Sequence, residues 1–192
     1  IGQPFQLDDV QVSVRTSVGM ACFPRDGRDP EHLLKRADLA LYAAKAAGRN
    51  TSRFFDPVLE ENANTRVRLQ QEMGVALARE QFTVVFQPQV NLSSGLCTGF
   101  EALVRWQHAE RGLIGPGDFI PVAEETGQIV PLGTWVLRES CKEAMRWPDH
   151  LRVAVNLSAV QFRSSSVVDL VESALADSGL PPHRLELEIT ET

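Results

Sequence analysis

The chain has 192 residues, of which 43% are hydrophobic and 23% are charged, and this composition excludes intrinsically disordered and fibrous classes. Its 25 acidic and 19 basic side chains give a formal net charge of −6, which disfavours a protein that binds a nucleic-acid polymer through a basic face. The three cysteines are scattered and form no CxxC pair, so we expect no disulfide framework, no zinc–thiolate site and a reducing, cytoplasmic compartment.

The first part of the chain, residues 1–56, has the pattern of a small α+β unit. Alternating apolar residues over 10–23 predict one bulged strand or a pair of strands. Asp29 followed by Pro30 predicts the start of a helix, and apolar residues at three- and four-residue spacing extend that helix until Gly48.

A polar stretch over 57–80 follows, in which the run from Arg66 to Glu80 is helix-forming, and we interpret it as a helical linker between two domains. The second domain, 81–192, opens with two predicted strands, 82–90 and 96–106, which a hairpin-like turn joins. The predicted elements after them are a loop over 112–117, short helical pieces over 119–125, a helix over 132–146, a strand over 152–156, a helix over 167–178 and a strand over 185–189.

Apolar strands that alternate with helices predict parallel pairing, with the helices outside the sheet. Three such units are too few to close a barrel. The expected fold class is therefore α/β, a truncated TIM-like β/α barrel preceded by the tail of an α+β domain.

Polar side chains interrupt these apolar strands, and we place them near the carboxyl ends, where parallel α/β proteins bind ligands. They are Gln87 in the first strand, Glu101 and Arg105 in the second, Asn156 in the third and Glu188 in the last. Taken singly, each is better explained as a strand-end polar group that backbone donors satisfy. Three hard oxygen ligands in apolar contexts at successive strands favour a site for Mg²⁺ or Mn²⁺ instead.

Neither a membrane span nor a signal peptide is expected, because no apolar run approaches about 20 residues. Ile1 is not a methionine, and Thr192 closes an apolar run without a turn. We therefore expect the chain to be an excerpt of a longer protein, in which any membrane anchor would lie upstream.

Several segments resemble EAL-type cyclic di-GMP phosphodiesterase domains. The run GFEALVRW at 99–106 contains the signature tripeptide Glu101-Ala102-Leu103. Further similar segments follow the family's order: FQP at 86–88, GPGDFIPVAEETG at 115–127, VNLS at 155–158 and ELEITE at 186–191. The resemblance covers about residues 66–192 and implies the N-terminal half of an EAL domain.

This resemblance implies roles for individual residues. Positions that hold the catalytic cations are matched by Glu101, Asn156 and Glu188, and the two glutamates count as catalytic. Positions that contact the cyclic dinucleotide are matched by Gln87, Leu103 and Arg105. A carboxylate that stabilises the loop after the last strand is matched by Glu191.

The implied reaction is hydrolysis of cyclic di-GMP to linear pGpG at two Mg²⁺ or Mn²⁺ ions about 3.5 to 4 Å apart. The family's Asp-Asp, Lys, Glu and Gln motifs would follow Thr192. The two-metal site is therefore expected to be incomplete in this chain, and we predict that the isolated 192 residues do not hydrolyse the substrate.

The earlier segments SVGMA at 17–21 and ADLALYAAKAAGRN at 37–50 resemble the C-terminal end of a GGDEF-type diguanylate cyclase domain. In that family, Lys45 and Arg49 match cations that meet the triphosphate of GTP. Four-residue spacing would place both on one helix face, although a solvated helix end explains them equally well.

The sequence thus predicts a tandem GGDEF–EAL protein that hydrolyses cyclic di-GMP in its full-length form. Two alternatives stay open: a degenerate module that binds cyclic di-GMP or GTP and signals through dimerisation, and a relay device that acts through the linker helix. Cyclic di-GMP is the expected ligand, and a homodimer is compatible with each alternative. An unpaired edge on the last strand further predicts self-association or poor solubility of the excerpt.

Overall fold

The computed structural model describes residues 4–164 and 166–190. Their contacts divide the chain into two compact units, 1–67 and 68–192, which are described separately below. No helix in the described ranges has both the length and the apolar character that crossing a membrane requires.

The first unit contains two short two-stranded sheets and a helix. Its elements are β1 (Phe5–Leu7) antiparallel to β2 (Val10–Val12), β3 (Val18–Met20) parallel to β4 (Ser52–Phe54), and α1 (Pro30–Ala46). The predicted start of α1 is confirmed, because the Asp29 carboxylate accepts the His32 backbone N–H at 3.0 Å. Helix α1 lies directly on β3, since a Cβ on Gly19 would collide with the carbonyl oxygen of Ala37.

Helix α2 (Pro57–Ala76) crosses the boundary between the two units. It begins where the Asp56 carboxylate accepts the Val58 backbone N–H at 3.0 Å. Its last turns contribute Leu69, Met73 and Ala76 to the hydrophobic core of the second unit. This part of the helix therefore packs as a core element of the second unit.

The second unit is built on a five-stranded sheet in the order β5-β6-β8-β9, with β7 also paired to β6. The strands are β5 (Phe82–Val90), β6 (Cys97–His108), β7 (Gly112–Ile114), β8 (Arg152–Ser158) and β9 (Leu185–Thr190). Strands β6, β8 and β9 run parallel, as the alternation of strands and helices predicts.

One prediction about this sheet is confirmed and another is wrong. Strand β5 pairs antiparallel with β6, as the predicted hairpin-like turn requires, because the turn between Val90 and Cys97 is too short for the crossover that a parallel pair needs. The glycine- and proline-rich stretch over 112–117 is not all loop, since its first three residues form β7 and extend the β6 hairpin.

Among the described residues of the second unit, four α-helices and one short 3₁₀ helix follow α2. They are α3 (Pro116–Thr126), α4 (Ile129–Ala144), α5 (Ala159–Ser164), α6 (Val167–Ser178) and the 3₁₀ turn Pro182–Arg184. Ser166 caps the start of α6, and Gly179 ends it with a left-handed φ of 76°, which confirms the predicted glycine stop.

The helices cover one face of the sheet. On that face, Ala102, Trp106, Val153 and Val155 are at most 3% exposed. Arg184 closes one end of this core: it is 2% exposed, and its guanidinium donates to the carbonyl oxygens of Ala144 and Leu151, among others, at 2.8 and 2.9 Å. The opposite face of the sheet carries the polar side chains that the sequence singles out.

Candidate functional site

Sheet register brings the predicted site residues to this opposite face. Gln87 pairs with Glu101 across β5 and β6, Glu101 pairs with Ala154 across β6 and β8, and Asn156 pairs with Glu188 across β8 and β9. Side chains alternate between faces along a strand, so paired residues and those two positions apart share a face. Gln87, Glu101, Asn156 and Glu188 therefore form a row across four strands.

Two members of the row are in direct contact. The side-chain amide nitrogen of Asn156 donates to Oε1 of Glu101 at 2.7 Å, across 55 residues of sequence. Both side chains are partly exposed, so a bound ligand can reach them. Glu188 stands next to Asn156 in the ladder and is also partly exposed.

The expected position of Glu101 at a carboxyl strand end is wrong. Strand β6 continues to His108, so Glu101 lies inside the strand. Gln87 belongs to an antiparallel strand, whose carboxyl end points away from those of β8 and β9. Register across the hairpin, and not a shared strand end, is what brings these residues together.

A gap opens in the sheet beside Glu101. The β6–β8 ladder ends at the Ala102–Val155 pair, and the β6–β7 ladder begins only at Trp106. Among the described residues, no strand pairs with Leu103–Arg105 on this edge of β6. A cavity of about 200 Å³ occupies the gap, and its lining includes Leu103, Arg105 and Asn156.

Arg105 is held at this gap by its own backbone. Its guanidinium NH1 donates to the carbonyl oxygen of Val104 at 2.9 Å, and the side chain is partly exposed. The guanidinium has further donors available in its planar fork, which is suited to phosphate oxygens. Leu103 and Arg105 thus face one cavity with Asn156, although they lie on different strands.

The far wall of the cavity contains a polar cluster that sequence reasoning did not assign. Ser158 Oγ donates to Glu124 Oε1 at 2.5 Å, and the Ser158 backbone N–H donates to Gln161 Oε1 at 3.1 Å. All three residues line the cavity. Glu124 and Ser158 each lie within a segment that resembles the EAL family, and this resemblance could have singled out both residues. Their contact could not be predicted, because no spacing rule links residues on a helix and a strand that are 34 positions apart.

The row of side chains suits a hard divalent cation. Its donors would be two carboxylates and an amide oxygen, the ligand types that Mg²⁺ and Mn²⁺ prefer. A half-turn of the Asn156 amide would direct Oδ1, in place of the amide nitrogen, toward the Glu101 carboxylate. Within 4–164 and 166–190 no group of three or more His, Cys, Asp or Glu side chains could hold a metal ion, and the predicted set contains only two residues of those types.

The two cations expected to meet GTP phosphates do not share a helix face. Lys45 is exposed in the last turn of α1, which ends at Ala46. Arg49 lies beyond the helix with a left-handed φ of 62°, after Gly48 at φ 95°. The four-residue spacing argument is therefore wrong, because glycine ends the helix between them. Glu191 lies outside the described residues.

Comparison with known families and structures agrees with these motifs. The family model of the EAL domain matches residues 68–192, and the family model described as diguanylate cyclase, GGDEF domain, matches residues 1–51. A solved structure of the PaMucR phosphodiesterase in its c-di-GMP complex is 44% identical, with a TM-score of 0.62, and the match covers 65% of this chain and 52% of that one.

Curated relatives match over the whole chain. The bifunctional diguanylate cyclase/cyclic di-GMP phosphodiesterase MucR of Pseudomonas aeruginosa is 42% identical over 196 residues, covering 100% of this chain and 29% of the relative. The uncharacterised protein y4lL of Sinorhizobium fredii is 43% identical over 192 residues, covering 100% of this chain and 23% of the relative. The chain thus spans about a quarter of the length of these relatives.

Proposed function

The chain belongs to the EAL domain family, preceded by a GGDEF segment, and on this premise we propose that the full-length protein hydrolyses cyclic di-GMP at the row of side chains on the open face of the sheet. The observation that carries the proposal is the contact between Asn156 and Glu101, with Glu188 beside Asn156 in the ladder. Oxygen-bearing side chains of three neighbouring strands share this face, in a domain whose relative MucR is a cyclic di-GMP phosphodiesterase by name.

Each residue has a distinct task in this proposal. Glu101, Asn156 and Glu188 would hold Mg²⁺ or Mn²⁺, whose chemistry is to activate a water molecule and to neutralise phosphate charge. Arg105 exchanges its bond to the Val104 carbonyl oxygen for a phosphate oxygen of the substrate. Leu103 and Gln87 would contact the dinucleotide beside it.

The reaction adds one water to one phosphodiester of the ring. The water oxygen bonds to phosphorus, the bond from phosphorus to the 3′ oxygen breaks, and that oxygen takes up a proton. The product is linear pGpG with a 5′ phosphate. A protein of net charge −6 binds this anionic substrate through local positive groups, of which Arg105 is one.

We expect Glu101→Gln in the full-length protein to lower turnover on the order of 100-fold or more, because the amide removes one negative oxygen donor without changing side-chain size. Formation of pGpG, followed by chromatography with Mg²⁺ and with Mn²⁺, measures this. The matched control is Glu172→Gln, an exposed residue of α6. Unchanged turnover in Glu101→Gln would remove this residue from the proposed site.

The degenerate binding module is the second candidate, and the same assay distinguishes it. A wild-type protein that binds cyclic di-GMP without turnover would favour that reading. The isolated 192-residue chain is still predicted to be inactive.

In the GGDEF segment, we propose that Lys45 and Arg49 contact GTP phosphates. Both side chains are exposed, Lys45 in the last turn of α1 and Arg49 in the turn after the helix.

A further inference from the structure

Helix α3 spans the gap between β6 and β8. Its first residue follows shortly after β7, and β7 is paired to the end of β6 through Ile114 and Trp106. Its last turn carries Glu124, whose carboxylate accepts the hydroxyl of Ser158 at the end of β8. Phe119 in the middle of the helix is 0% exposed, which fixes α3 in the core. The helix therefore connects the two strands where their own ladder has ended.

Both the hydroxyl and the backbone N–H of Ser158 are hydrogen-bonded. The hydroxyl donates to Glu124 and accepts the Val160 backbone N–H at 3.2 Å, and the Ser158 N–H donates to Gln161 Oε1. The residue is 6% exposed and lies two positions after Asn156 on the same strand. At the end of β8, β9 pairs with one edge of the strand. The edge that faces β6 has no backbone ladder there among the described residues, and the bonds of Ser158 stabilise it instead.

Gly133 in α4 leaves room for the side chain of Gln161, which belongs to this cluster. A Cβ on Gly133 would collide with Nε2 of Gln161 and lie 2.8 Å from Oε1, the atom that accepts the Ser158 N–H. The side chain of Gln161 is 1% exposed and packs against the helix backbone there. The end of β8 is thus hydrogen-bonded to Glu124 of α3, and it is also hydrogen-bonded to Gln161, which packs against α4.

We infer that Glu124 and Ser158 are positioning residues, which hold Asn156 at the place where it can share a cation with Glu101 and face Arg105 across the gap. The inference rests on the proposed function. Asn156 lies one residue past the end of the β6–β8 ladder, so its distance from Glu101 depends on what fixes the segment after it. The bond from Ser158 to Glu124 is a direct side-chain connection from that segment to α3.

The test compares four variants of the full-length protein. Ser158→Ala and Glu124→Ala remove the bond from either side, whereas Ser158→Thr and Glu124→Gln keep a hydroxyl donor and an oxygen acceptor. Mn²⁺ affinity is measured by titration in the absence of substrate, and kcat and KM are measured with cyclic di-GMP. We expect the two alanine variants to weaken Mn²⁺ binding about 10-fold or more and to lower kcat/KM by a similar factor, with most of both recovered in the conservative variants.

Ser140→Ala is the matched control, because its hydroxyl is also buried but donates to Val136 within its own helix at 2.7 Å. Equal Mn²⁺ affinity in Ser158→Ala, Glu124→Ala and Ser140→Ala would overturn the inference and leave the proposed function intact. If Ser158→Ala does not fold, Glu124→Ala decides, since it leaves β8 unchanged. A wild-type protein that neither binds Mn²⁺ nor hydrolyses cyclic di-GMP overturns the proposed function and this inference with it.

Discussion

The contact between Asn156 and Glu101 pairs an amide donor with a carboxylate acceptor. The amide N–H of Asn156 satisfies the carboxylate at 2.7 Å. Two carboxylates at this distance would repel each other unless a cation or a proton lay between them. An amide at position 156 avoids this repulsion, and its oxygen can face a cation when the amide turns.

Asn156→Asp is therefore expected to make stability depend on the cation. Without a divalent ion, repulsion from Glu101 lowers the free energy of unfolding by about 1 to 4 kcal/mol. With saturating Mn²⁺ the added charge is compensated, so the Mn²⁺-induced rise in Tm is larger than in the wild type. Thermal unfolding at neutral pH with and without Mn²⁺ measures both effects. Asn91→Asp, in the exposed β5–β6 turn, adds the same charge away from the row, and an equal Mn²⁺ response in the two variants would contradict the expectation.

Residue-level geometry was predicted wrongly where Glu101 was placed at a strand end and where helical spacing was extended too far, and the roles of the site residues stay predictions. Glu101, Asn156 and Glu188 lie on one face because alternation and register are fixed by the apolar pattern. The position of Arg49 was wrong because helical spacing was continued past Gly48. The bond from Glu124 to Ser158 was not predicted, since it depends on where a ladder ends, which local sequence does not encode.

At the level of elements, predicted helix bounds follow the apolar stripe, while the actual bounds follow the capping residues. The stripe predicts helix-forming residues from about Arg66, yet α2 begins at Pro57 beside the capping Asp56. The residues between them are polar and largely exposed, so they produce no apolar stripe. Strand β7 was missed for a related reason, because three residues are too few to show alternation.

Two helix glycines give opposite predictions for the same substitution. Gly74→Ala in α2 meets only Gln128 Nε2 at 3.6 Å, so alanine should stabilise the protein by about 0.5 to 1 kcal/mol through lower backbone entropy in the unfolded chain. Gly133→Ala in α4 collides with the buried Gln161 side chain, so overpacking should destabilise by about 1 to 3 kcal/mol. Urea unfolding measures both changes. A Gly133→Ala variant as stable as Gly74→Ala would show that Gln161 moves aside freely.

At the level of the whole molecule, alternation of strands and helices was enough to predict the fold class and the parallel core, and the hairpin-like turn predicted the direction of β5. The parallel core of β6, β8 and β9 is confirmed, and the antiparallel β5 depends on a turn length. The second edge of β9 has no partner among the residues that the structure describes, and Ile189 on this strand is 64% exposed. Self-association of the isolated chain stays a prediction.

The first unit carries carboxylates that connect its stability to pH. The Arg25 guanidinium and the Cys22 backbone N–H, each at 2.7 Å, lower the pKa of Asp26. Hydrogen bonds from Lys35 and Arg36 lower the pKa of Glu60. A carboxyl group with a lowered folded-state pKa stabilises the fold above its unfolded pKa of about 4, and this contribution is lost as the pH falls through the folded value.

We therefore expect the first unit to lose stability as the pH falls from about 5 toward 3. All three tryptophans, Trp106, Trp135 and Trp147, lie in the second unit, so their fluorescence reports that unit alone. Hydrogen exchange in peptides from 18–54, corrected for intrinsic rates, reports the first. The double variant Asp26→Asn, Glu60→Gln should be less stable than the wild type at pH 7 and should depend less on pH in this window, because two of the titrating charges are gone, while Asp29 with its lowered pKa remains. An equal loss of protection on acidification in the variant and the wild type would show that other groups determine the acid sensitivity of this unit.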